Sequence, residues 1–241
     1  MTQTLSAVQA SPRALARMAG LFELLEAASG APGQFILLGT LVVSGDAAAT
    51  SRNILENTTQ FQLGVAANLV SVAFHVVWTY LMYEVLRPVD RGLSLFAAFA
   101  GLTAAALQAV AAVIQVAPLA VLNNGQPLGG LTPDIQQGLA FAFLRLNARA
   151  YNIYLVFFGF WLLLIGYLVY RSTFMPRIVG AFVMLSGVTW ILQLWPPLVS
   201  ALSPWNLILD GPGEISLMLW LLVFGVNADR WRRRAGIATS S

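Results

Sequence analysis

Long apolar runs recur along this chain, and arginine gathers between and beyond them. Arg13 and Arg17 precede the first run. Arg87 and Arg91 separate the second from the third, and Arg171 and Arg177 separate the fourth from the fifth. Arg230, Arg232, Arg233 and Arg234 follow the last. Runs of ~20 apolar residues suit helices that cross ~30 Å of hydrocarbon, where every backbone polar group must be satisfied internally. The fold class expected is therefore all-α, a polytopic membrane bundle. Positive charge on alternate connections predicts an N-in/C-in orientation in the plasma membrane.

Composition agrees. The 241 residues are 58% hydrophobic and 10% charged, where a soluble domain carries about a quarter charged residues. Mean hydropathy is +0.75. The sequence pI of about 9.7 comes mostly from arginine at membrane edges, which meets anionic lipid headgroups. It is not read as a nucleic-acid footprint. Cysteine is absent and His75 is the only histidine, which excludes disulfides, thiolate or multi-histidine metal sites and a bis-histidine haem. Met82 lies on the same helix as His75, so the two cannot flank a haem from opposite sides. No P-loop, GxSxG, HExxH or GxGxxG signature opens a helix in the required context. No metal or cofactor is expected.

Residues 1–12 read as a polar cytoplasmic lead, 13–230 as a transmembrane domain of six helices, and 231–241 as a basic cytoplasmic tail. The spans run approximately 14–43, 61–86, 92–122, 150–170, 177–200 and 213–229. Glu23 and Glu26 interrupt the first run, so it reads as a retained span rather than a signal peptide, despite Ala27-Ala28-Ser29. Ser44–Gln60, Asn123–Gly138 and Ala201–Gly213 are polar or Pro/Gly-rich outside connections. Leu139–Arg149 is either a short interfacial helix or an extension of span four. Trp195, Trp205 and Trp231 fall near expected interfaces, where indole is favoured. Ala97, Gly101, Ala105 and Ala109 form a small-residue stripe that lets another helix approach.

Ionisable groups at membrane depth are costly and therefore candidates for function. At 1.5 Å per residue, Glu23 and Glu26 lie ~9 and ~14 Å beyond Arg17, and His75 lies ~18 Å from Arg87. Asn68, Ser71, His75 and Thr79 share one face of span two. Ser29-Gly30-Ala31-Pro32-Gly33 should break or kink span one and free backbone carbonyls. Together these predict a polar pocket between spans one and two. Glu23 or Glu26 would accept a proton or hold a cation, with His75 as partner and Asn68, Ser71 and Thr79 contacting a ligand. The competing reading is an interhelical hydrogen bond with no ligand. Glu84 reads as the interfacial partner of Arg87 or Arg91. On the outer side, Arg145, Arg149 and Asn152 share a face, and Asp210 and Glu214 precede span six. They form either a charge-paired lid or an anion-recognising mouth. Gln108, Gln115 and Gln193 are expected to bond between helices.

Three blocks carry a resemblance. They are Ala16-Arg17-Met18-Ala19-Gly20; Leu63-Gly64-Val65-Ala66-Ala67-Asn68-Leu69 running on to Leu86-Arg87-Pro88-Val89-Asp90-Arg91-Gly92; and Val156–Ser172 followed by Met175-Pro176-Arg177-Ile178-Val179-Gly180. With these, the chain resembles, over roughly residues 14–230, a broad family of small bacterial integral membrane proteins known only as a domain of unknown function. The resemblance implies a six-span helical fold and brings no established activity. It also implies a His-acid pair before span four. This chain has Asn147-Ala148-Arg149 there, which weakens a proton-transfer role at that spot.

Three functions remain open. The leading one is binding or transport of a small lipophilic or weakly charged molecule. The second is an intramembrane acid/base enzyme of isomerase or cyclase type acting on a lipid or isoprenoid, which needs a neutral carboxylic acid in an apolar pocket. The third is a structural or regulatory scaffold.

Overall fold

The computed structural model describes residues 11–122, 125–126, 129–202 and 205–237, and every regular element among them is helical. The order is α1 (Pro12–Ala31), α2 (Ala47–Glu56), α3 (Thr58–Leu86), α4 (Arg91–Leu122), α5 (Pro133–Arg171), α6 (Arg177–Ile191), α7 (Pro196–Leu202), α8 (Trp205–Val223) and α9 (Ala228–Arg234). Most of the expected lead, the centre of the Asn123–Gly138 loop, and the side chains of Trp205 and Asp210 lie outside the described residues.

Local chemistry explains where these helices depart from the sequence expectation. Pro32 has no N–H, and its ring crowds the carbonyl four residues back. The chain does not break there. It widens into a π-helix, Pro32–Leu38, and tightens into a 3-10 turn, Gly39–Leu41. The Ser44–Gln60 connection contains α2. Asp46, in extended conformation, accepts a hydrogen bond from the Ala49 N–H at 2.8 Å and caps that helix. Aspartate at an N-cap satisfies one of the donors a helix start leaves open. Leu139–Arg149 extends span four as part of one 39-residue helix, α5, ~58 Å long. Pro133 opens α5, a position where a missing N–H costs nothing.

The last apolar run, expected to reach residue 229, stops at Val223. Gly225 takes φ +66°, a conformation other residues resist, and α9 leaves at 101° to the preceding helix. Asn227 caps α9 by accepting from the Arg230 N–H at 3.0 Å. Trp231, expected at the interface, is instead buried, and its Nε1 donates to the Val85 carbonyl at 2.8 Å.

Among the described residues, four helices are long and apolar enough to cross a membrane: Thr58–Leu86, Arg91–Leu122, Pro133–Arg171 and Arg177–Leu194. A fifth is reached if Gly211–Val223 and α9 count as one bent span. α1, carrying Arg13, Arg17, Glu23 and Glu26, is not among them. Large apolar side chains such as Phe99 (60% exposed) and Val113 (67%) face outward on α4, as they do where lipid is the solvent. The architecture is that of a helical membrane protein.

The chain divides into two compact units. Unit one takes the described residues of Met1–Leu24, Phe74–Ala104 and Leu155–Ser241; unit two takes Leu25–Ala73 and Ala105–Tyr154. In unit one, α5 and α6 form an antiparallel hairpin on paired glycines. A Cβ on Gly159 would stand 2.6 Å from the Gly187 carbonyl oxygen, and one on Gly187 2.6 Å from that of Gly159. Seven residues along, Gly166 and Gly180 meet in the same way. Backbone-to-backbone approach of this kind is how membrane helices gain packing energy without a hydrophobic drive. In the same unit Arg17 donates to the Val223 carbonyl at 3.0 Å and Arg230 to the Thr173 carbonyl at 3.1 Å. Glu84 pairs with Arg87 at 3.2 Å. Unit two is built on Leu41, Ile54, Phe61, Val121, Leu122 and Ala140, with α2 supplying Ile54.

The paired glycines set a stability test. Gly166→Leu should lower the melting temperature in detergent, with an overpacking cost of about 1–3 kcal/mol or more. Gly138→Ala, at a helical glycine with no heavy atom within 4 Å of an added Cβ, should hold or raise it, as alanine favours helix by roughly 0.5–1 kcal/mol. Equal melting curves for wild type and Gly166→Leu would show that the close approach does not hold the hairpin.

Candidate functional site

Several polar side chains of unit two converge on one seam. The π-helix presents Gln34, α3 presents Asn68 and Ser71 on one face, and α4 presents Gln108 and Gln115 two turns apart. Asn68 Nδ2 donates to Gln34 Oε1 at 3.0 Å and to Gln115 Oε1 at 2.9 Å, while Gln115 Nε2 donates to Gln34 Oε1 at 3.1 Å. Three carboxamides thus close a ring. Farther along α3, Ser71 Oγ donates to Glu26 Oε1 at 3.3 Å and accepts from Gln108 Nε2 at 3.3 Å. From α5, Asn147 Nδ2 donates to the Ala111 carbonyl at 2.7 Å. Asn68, Ser71, Gln108, Gln115, Asn147 and Glu26 are all buried.

Two glycines let the first segment come this near. A Cβ on Gly30 would lie 2.6 Å from Ser71 Oγ, and one on Gly33 2.9 Å from Asn68 Oδ1. Any larger residue would push Glu26 and Gln34 away from α3. The π-helix matters for the same reason. Its extra residue per turn re-aims a side chain, and such segments are frequent at functional sites. Here the re-aimed side chain is Gln34.

Beside the ring the seam opens. Where Gln108, Ala112 and Tyr151 line it, there is no room for water. Where Gln34, Gln115 and Asn147 line it, it becomes a half-open groove of about 370 Å³. Phe61, Leu38, Val42 and Leu144 supply apolar wall, and Arg145 stands at the groove. The Arg145 guanidinium lies 5.7 Å over the Phe141 ring. A concave apolar site with a few convergent polar groups is the usual form of a small-molecule site.

The remaining sequence candidates are placed as follows. Glu23 (3% exposed) and His75 (0%) fall in unit one. His75 sits among aromatic rings, its centroid 5.0 Å from Trp161, 5.6 Å from Phe158 and 5.8 Å from Trp78. Thr79 (1% exposed) lies against Gly101, where an added Cβ would be 2.7 Å from Thr79 Oγ1 and 2.9 Å from Trp161 Nε1. The Gly101 position of the small-residue stripe therefore serves close packing. Among the outer candidates, Arg149 and Asn152 are exposed on α5. Glu214 belongs to unit one, where it accepts from Trp190 Nε1 at 2.7 Å. No group of three or more acidic or histidine side chains able to hold a metal occurs among the described residues.

The model of the family described as a domain of unknown function, DUF4386, matches residues 18–225. The chain belongs to that family. No curated protein and no solved structure matches it. The DUF4386 match spans every residue of the seam and groove from Glu26 to Tyr151, so the site is built within the family domain itself. The residues that sequence reasoning passed over are Gln34, Phe61, Leu144 and Asn147 as a lining residue of the groove. The signal for Gln34 was available: a carboxamide two residues after Pro32, inside an apolar run, must find a partner.

Proposed function

We propose that this DUF4386 protein binds, and moves through the bilayer, a small and largely apolar molecule that carries polar groups, using the groove of unit two. The observation that carries the reading is the groove beside the carboxamide ring. Its wall combines aromatic and aliphatic side chains with amide groups that are held in place by one another. Glu26, bonded through Ser71 to Gln108, is the acid of this seam and the member of the Glu23, Glu26 and His75 set assigned to ligand or proton handling. Glu23 and His75 are assigned to packing.

The setting belongs to the same proposal. The protein crosses a bacterial plasma membrane six times, with α1 as the first crossing and both termini in the cytoplasm. Support comes from the ten clustered arginines, all of which belong to unit one. Two of them bond to carbonyls at the ends of chain segments there. Anionic headgroups are their natural counter-charge.

Orientation is testable because the chain lacks cysteine. Ser44→Cys should react with a membrane-impermeant thiol reagent in intact cells, and Ser6→Cys only after permeabilisation. The reverse pattern would invert the assignment. For binding, the full chain purified in native-lipid particles should release a retained small molecule detectable by mass spectrometry. The variant Gln34→Leu/Asn68→Leu/Gln115→Leu replaces the whole ring, so no amide is orphaned and folding is preserved. It should retain at least tenfold less. Equal retention would refute the reading.

A further inference from the structure

The charge inventory of the groove says more than its volume. Among the described residues lining it, Arg145 is the one ionisable group; the other polar side chains there are Gln34, Ser44, Gln115 and Asn147. Arg145 is exposed, rests against Phe141, and makes no ion pair among the described residues. A guanidinium offers five donors in a planar fork and no acceptor. The ring uses Gln34 only through Oε1, so its Nε2 carries further donors at the same wall. The groove thus presents cationic and neutral donors beside an apolar wall; no carboxylate is among its described lining residues, and Glu26 is bonded to Ser71, outside that lining.

The geometry points to an anionic amphiphile as the ligand: one apolar chain lying along Leu38, Val42, Phe61 and Leu144, and an acidic head, carboxylate or phosphate, held by Arg145. The inference rests on the groove being a binding site. A volume of about 370 Å³ is at the small end of the roughly 300–1,000 Å³ found for such sites, which suits one chain and not a diacyl lipid. An exposed guanidinium in bulk water would gain little from an anion. Beside the apolar walls of a half-open groove the same pairing is stronger, and its bidentate form fixes the head. The amides of Gln34 and Gln115 then serve an oxygen adjoining the head, a role a bare apolar groove could not fill.

Native mass spectrometry of the full-length chain, with three probes sharing one chain, tests this. The probes are oleate, oleoyl lysophosphatidate and oleyl alcohol. Both acids should bind at least tenfold more tightly than the alcohol, and whichever binds better identifies the head as carboxylate or phosphate. Arg145→Gln should abolish the preference by weakening both acids at least tenfold more than the alcohol. Arg149→Gln, one turn away and outside the groove, should keep the preference. Equal binding of all three probes would overturn the inference and leave the groove as a site for neutral molecules. Loss of the preference in Arg149→Gln as well would overturn it in favour of general surface charge. Binding of none of the probes would overturn both the inference and the groove as a site for lipophilic chains.

Discussion

Amide side chains buried in a membrane protein have to find partners within the protein, because lipid offers them none. Unit two is organised by that necessity. Gln34, Asn68 and Gln115 come from three separate segments and reach one another only if those segments pack closely. Gly30 and Gly33 remove the side chains that would prevent it, and the π-helix turns Gln34 toward α3 and α4. An unpaired buried amide costs about 1–3 kcal/mol, so the ring selects one arrangement of these segments. The groove beside it inherits its shape from that selection.

Unit one solves a different problem. Its hairpin of α5 and α6 rests on backbone contact at paired glycines, and its His75 is surrounded by rings. Arginine works there through hydrogen bonds as well as charge. Arg17 and Arg230 satisfy carbonyls that helix ends and turns leave open. Arg171 and Arg177 lie over the rings of Tyr167 and Tyr170, at 5.6 and 5.9 Å. The same residues that cluster between and beyond the apolar runs in the sequence also hold the ends of the apolar elements. Trp231, bonded to Val85, fixes α9 to that framework.

Much of this was legible in the amino-acid order. Helical class, α3 and α4, the weakness at Pro32, the Glu84–Arg87 pair, and the shared face of Asn68 and Ser71 all follow from spacing and from the cost of polar groups in lipid. The π-helix did not, because a proline in an apolar run signals disturbance without saying whether the helix breaks or widens. α2 was hidden by polarity: a ten-residue helix in a connection has too weak a period to declare itself. Gln34 was missed because depth was counted from charges, and a neutral amide carries none. The glycines of α5 and α6 escaped notice for a related reason. Each stripe is ordinary alone and gains meaning only when its partner is known.

A density map of the full-length chain in a lipid bilayer is the most direct measurement of whether the carboxamide ring builds a binding site. The expected result is the ring of Gln34, Asn68 and Gln115 intact, with ordered density in the adjoining groove between Phe61 and Phe141. A groove closed by direct contact of Leu38, Phe61 and Leu144, with the three amides bonded as before, would contradict it. The ring would then be a packing device alone.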